Sequence, residues 1–196
     1  MQASNLIVLV GCQLISATAT ISLVTLGGII GMSLTSNKAF VTLPLSVMVV
    51  AVAASAIPAT MLMRRIGRKP GFVIAATIAA AGMFIGVLAL WYSSFALFCA
   101  ATMLVGVNVA FTQQYRYAAA ESVQPEYVAR AISFVLLGPI GGAFLGKELA
   151  TRGQDWIAGI PHAGTLAALG VLFILQAALL LMLREPNAHE EHETRR

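Results

Sequence analysis

The stretch Met63-Arg-Arg-Ile-Gly-Arg-Lys-Pro70 places four of the chain's twelve Lys and Arg residues between two long uncharged segments. Uncharged, mostly apolar sequence runs into it from Ala39 to Met63, and no charged side chain appears from Pro70 to Tyr115. The second interval is long enough for two bilayer crossings joined by Trp91-Tyr-Ser-Ser94. A cation cluster between apolar spans marks a short cytoplasmic loop, because lysine and arginine accumulate on that side of a membrane. The chain reads as an integral membrane protein.

Composition points the same way: 59% of the 196 residues are hydrophobic and 10% charged, too few charges to cover a water-soluble globule. A hydrocarbon core takes about 20 apolar residues per helix. Six windows meet that need, from Leu6 to Gly31, Leu43 to Met63, Gly71 to Trp91, Phe95 to Gln114, Ala131 to Gly146 and Ala163 to Leu183. The fifth is the shortest and contains Gly138-Pro139, so its helix is expected to begin near Tyr127 and bend at the proline. The expected fold class is an all-α membrane protein, a bundle of six transmembrane helices over residues 1–185 with a polar cytoplasmic tail at 186–196. The opening Met-Gln-Ala-Ser-Asn lacks the basic start of a secretory signal, so the first apolar segment is expected to be retained as a span.

Nine basic residues, Arg64, Arg65, Arg68, Lys69, Arg116, Arg130, Arg184, Arg195 and Arg196, fall on one side of that topology, and Lys38, Lys147 and Arg152 on the other. With an even number of spans, this bias puts both termini in the cytoplasm. The net charge of +4 is then a topology signal, and no nucleic-acid partner is expected from cations confined to span ends. Cys12 and Cys99 lie within apolar helices, where packing is the default role. Small residues recur four apart, as Gly82 with Gly86 and as Gly138, Gly142 and Gly146, the spacing of close helix contacts; around Pro139 a bendable helix is the alternative.

Polarity within the spans is uneven. In the first span Gln13, Ser16 and Thr20 follow i, i+3, i+7 spacing, one stripe of a helix. In the fourth, Asn108, Thr112 and Tyr115 form a similar stripe beside Gln113 and Gln114. The third span has Thr77 alone in its middle, and the sixth has Thr165 and Gln176. Spans one and four are therefore expected to face a shared substrate cavity lined by Gln13, Ser16, Thr20, Asn108, Thr112, Gln113 and Tyr115, with spans three and six facing lipid. Hydrogen bonds between helices account equally well for isolated Ser and Thr.

Six spans, internal termini and a basic loop between spans two and three resemble one N-terminal-type half of a major facilitator superfamily transporter. That superfamily's second-loop signature, Gly-x-x-x-Asp-Arg-x-Gly-Arg-Arg/Lys, is matched by Arg65, Gly67, Arg68 and Lys69, while Thr60 replaces the first glycine and Arg64 the acid. Glu121, Pro125 and Arg130 approximate a second pattern of acid, proline and arginine entering the fifth span. The resemblance implies that Arg68 and Glu121 are neighbours in a cytoplasmic latch. Gln114-Tyr-Arg-Tyr-Ala-Ala-Ala-Glu121, after Ser94-Phe-Ala-Leu-Phe-Cys99, is similar to a bacterial subfamily of copper importers and riboflavin carriers. Met48, Met61, Met63, Met83, Met103 and the two cysteines are scattered, so core packing explains them better than copper ligation. His189-Glu-Glu-His192 has metal-like spacing but sits in a charged tail, and no metal or cofactor is expected.

No span carries paired carboxylates, a Ser-His-Asp set or a phosphate-binding glycine loop, so an enzyme is not expected. With no Asp or Glu inside a span, a proton carrier is missing too. A carrier of this superfamily has two halves around a central site. The expected function is a half-size transporter of the bacterial inner membrane that pairs with a second six-helix unit, a second copy or a separate chain, to move a small solute by alternating access. The rival is a non-transporting membrane subunit that assembles another complex.

Overall fold

The computed structural model describes residues 2–183, and every described regular element is helical. The tail at 186–196, with its His189 and His192, lies outside the described residues. The long helices are α1 (Gln2–Leu34), α2 (Leu43–Ile66), α3 (Arg68–Trp91), α4 (Phe95–Thr112), the short α5 (Tyr115–Glu121), α6 (Val128–Arg152) and α7 (Ala163–Leu181). Among the described residues, six helical spans are long and apolar enough to cross a membrane, α4 and α5 together making one of them. The fifth span starts beside Tyr127, as expected, after a turn at Pro125–Tyr127.

The connections follow from their residues. Gly67 alone links α2 to α3 at φ 92°, a left-handed angle that a side chain disfavours, and its N–H closes α2 on the Met63 carbonyl. Ser94 caps α4 by accepting from the Leu97 N–H. Trp91, Tyr92 and Trp156 are exposed at the ends of α3 and α6 remote from the basic loop, and Tyr117 and Tyr127 at the other end. These two rings of amphipathic aromatics suit the two membrane interfaces.

The helices stand in two layers. α6 packs on α1 and α2 on α4, and α1 touches α4, giving a row α6–α1–α4–α2; α3 and α7 pack on one another and back the row through α4 and α1. Lipid tails give no hydrophobic reward for helix contact, so close approach of small residues is what holds such layers. A side-chain carbon at Gly142 of α6 would sit 2.6 Å from the Ala17 Cβ and 2.9 Å from the Thr18 nitrogen of α1. One at Gly106 of α4 would sit 2.4 Å from the Met48 carbonyl oxygen of α2. Tight packing, the first reading of the glycine repeat, is what Gly138, Gly142 and Gly146 serve against α1.

The expectation that spans three and six face lipid needs correction. α3 does turn Phe84 and Leu88 outward, and α7 Ile174 and Leu175. Yet both helices bury a full face, α3 through Phe72, Ala75, Ala76, Ala79, Met83 and Gly86, while α2 and α6 are the least buried spans. α2 and α6 end the row and have few neighbours.

Candidate functional site

At the basic end, Gly67 brings the start of α3 against α5, and the Arg68 Nη2 donates to the Glu121 Oε1. The two motifs are thus physically joined at these residues. Arg64 and Arg65 are exposed, and Lys69 is half-buried. Arg130 lies over the Tyr127 ring, 6.0 Å from its centroid, and Arg116 over Tyr117 at 5.2 Å. The Arg68 Nη1 and Arg116 Nε are buried without a hydrogen-bond partner.

Deeper in the bundle, the two polar stripes divide. Ser16 and Thr112 share a 3.1 Å hydrogen bond between α1 and α4, and the Asn108 Nδ2 donates to the Ser16 Oγ at 3.5 Å. All three are buried, with the Asn108 Oδ1 left without a donor. Tyr115 turns backward: it is buried, edge-on to Phe72 at 4.7 Å between centroids, and its hydroxyl accepts from the Gln176 Nε2 of α7 at 2.7 Å. The Cys12 thiol donates to the Gln176 carbonyl at 3.8 Å. An amide costs several kcal/mol to leave unpaired in hydrocarbon; this network pairs the N–H side of Asn108 and Gln176 and leaves the side-chain oxygens of both without a donor.

Gln13, Thr20 and Gln113 stay outside the network. At about 100° per residue, Gln13 and Thr20 lie about 60° and about 40° around α1 from Ser16, on the flank between α4 and α6. Both are half-buried, and the Thr20 hydroxyl donates back to the Ser16 carbonyl. Gln113 is exposed in the turn that closes α4, between Thr112, turned to α1, and Gln114, whose Nε2 reaches the Thr60 Oγ1 of α2 at 3.5 Å. The seven expected cavity residues therefore divide into a buried support of Ser16, Asn108, Thr112 and Tyr115 and a front flank of Gln13, Thr20 and Gln113. Gln176 was not among the expected site residues. Its signal was being a lone amide in an apolar span, which must find a partner. Among the described residues no three His, Cys, Asp or Glu side chains converge as metal ligands.

A two-layer bundle of membrane-crossing helices, with a polar flank on its front row and a basic clasp at one end, is a polytopic membrane protein built as transporters are. The chain belongs to the Major Facilitator Superfamily, whose family model matches residues 6–196. It is similar to the riboflavin transporter RfnT of Brucella anthropi, 32% identical over 196 residues, covering 98% of this chain and 49% of that protein. It is also similar to two uncharacterized MFS-type transporters of Bacillus subtilis (strain 168). YdeG is 25% identical over 167 residues, 84% of this chain and 39% of YdeG, and YddS 26% over 168 residues, 84% and 38%. The chain thus spans about half the length, or less, of the curated relatives it matches. No solved structure matches it significantly. Family and relatives are those of a multi-pass membrane transporter and not of an enzyme.

Proposed function

We propose that this chain is one six-helix unit of a two-unit carrier in a bacterial inner membrane, with both termini cytoplasmic, moving a small uncharged solute by alternating access. The similarity to RfnT makes riboflavin the solute to test first. The observation that carries the reading is the front of the row α6–α1–α4–α2. There Gln13, Thr20 and Gln113 present polar groups at membrane depth, flanked by the bare apolar helices α2 and α6. A polar flank does not suit lipid, but it suits a cavity closed by a second six-helix unit, whether a second copy or a further segment. Because α1 and α4 carry no acid or base at that level, the same face favours a neutral solute over an ion. The clasp of Arg68 with Glu121 fits a latch at the cytoplasmic mouth, with Arg65, Gly67, Lys69 and Arg130 shaping the loops around it.

The test joins riboflavin uptake to assembly size. A riboflavin-requiring bacterium expressing the chain in its natural assembly is expected to accumulate riboflavin, and the solubilised particle to hold two six-helix units. A particle with one unit, bound to an unrelated membrane complex and without uptake, would replace this reading by that of an assembly subunit.

A further inference from the structure

We propose that the side-chain amides of Gln13 and Gln113 act as a pair that reads the imide edge of a planar heterocyclic solute, an inference that rests on the flavin-carrier reading above. The hydrogen bond between Ser16 and Thr112 fixes the level at which α1 and α4 meet. Gln13 lies three residues before Ser16 and Gln113 one residue after Thr112. The two helices run in opposite directions, being separated by three reversals of the chain. Both glutamines are therefore displaced toward the same end of the bundle, by about 4.5 Å and about 1.5 Å at 1.5 Å per residue, and their levels differ by only about 3 Å.

Both side chains are on the front flanks, and neither has a hydrogen bond to another described group, in contrast to Ser16, Asn108, Thr112, Tyr115 and Gln176 behind them. The stem of Gln13 is held: a side-chain carbon at Gly138 of α6 would meet its Cγ at 2.9 Å and its Cβ at 3.0 Å. That contact packs the base of the side chain against α6. The buried support behind fixes the backbone of α1 and the end of α4, so Gln13 is placed by a helix and Gln113 by the turn that closes α4.

The chemistry then selects a solute. A primary amide offers an N–H donor and a C=O acceptor side by side, and glutamine uses both at once on a heterocycle edge. The pyrimidinedione edge of a flavin presents acceptor, donor, acceptor in order. One amide can accept from the ring N–H while donating to the neighbouring carbonyl, and the second can donate to the carbonyl on the other side. No charge is needed on either partner, which fits spans without acids or bases at this level.

The test compares riboflavin with riboflavin methylated at its imide nitrogen, by quenching of flavin fluorescence with the natural assembly in lipid nanodiscs. The unmodified protein is expected to prefer riboflavin by at least about tenfold, the scale of one bidentate contact. Gln113→Leu and Gln13→Leu each reduce riboflavin affinity by up to about tenfold, and the one of the two that removes the amide accepting from the ring N–H also brings the preference close to one. The isosteric Gln113→Glu, which keeps shape and an acceptor but puts a carboxylate oxygen where the N–H donor faced a carbonyl, lowers the affinity without a packing change. A preference that survives in all three variants overturns the amide pair alone. Absence of riboflavin binding to the unmodified assembly overturns the solute reading, and the pair with it.

Discussion

At the scale of single residues, the contacts that matter most join groups far apart in sequence. Arg68 and Glu121 pair across the basic end, but their side chains are 33% and 61% exposed, so solvent screens them. Each charge reversal, Arg68→Glu or Glu121→Arg, is expected to lower stability by no more than about 1 kcal/mol, and the double reversal to recover most of that loss. Thermal unfolding of the four proteins in nanodiscs measures it. His162, between α6 and α7, holds a left-handed φ of 66° with its Nδ1 buried and unpaired. Burial pushes its imidazole below the ordinary range, and Asp155 partly opposes the shift. A lowered folded pKa means the unfolded chain takes the proton first. The stability His162 contributes is therefore complete above the ordinary value of about 6.5 and declines as pH falls through it. Unfolding followed by Trp156 fluorescence should move to lower temperature between pH 8 and pH 5, and His162→Asn, which tolerates the backbone angle, should flatten that dependence.

At the scale of helices, the tightest seam is α6 on α1. The atoms that a Gly142 side chain would meet include the Thr18 nitrogen and the Leu14 carbonyl oxygen, which cannot swing aside as a side-chain tip can. Gly142→Leu is expected to cost about 1–3 kcal/mol by overpacking. Gly28→Ala in α1, with nothing within 4 Å, should escape that clash. Paired unfolding curves decide it, and equal behaviour of the two variants would remove the seam as a structural determinant. The spans themselves were legible in the sequence because apolar length and basic loops are read directly from composition. Their burial was not, since a face against another helix and a face against lipid are equally apolar. The signal for α3 was size: Ala75, Ala76, Ala79 and Ala80 leave room only useful to a close neighbour. The break between α4 and α5 at Gln113-Gln114 carries no proline or glycine and gave no warning.

At the scale of the whole molecule, the question is which surface meets water. The sequence placed Gln13, Ser16, Thr20, Asn108, Thr112, Gln113 and Tyr115 on one face because spacing alone does not separate residues about 60° apart on a helix. Packing separates them: Ser16, Asn108, Thr112 and Tyr115 are buried, while Gln13, Thr20 and Gln113 remain on the front. If the front of the row lines an aqueous cavity, cysteines placed at Thr20 and Gln113 react with a water-soluble thiol reagent. Cysteines at Phe84 and Leu88 on the outer face of α3 do not, although both positions are 41% and 48% exposed, because lipid covers them. Cys12 and Cys99 are replaced beforehand to leave no background thiol. Ile57 of α2 and Phe144 of α6, 72% and 77% exposed, supply the second arm. Covered by a second copy of the chain, cysteines there cross-link into a larger species with a short bifunctional reagent. Facing lipid, they remain uncross-linked. Reaction along Phe84 and Leu88 but not along Thr20 and Gln113, with no cross-link from Ile57 or Phe144, would place water on the wrong side of the bundle. The front row would then be a docking face for some other membrane complex and not half of a solute pathway.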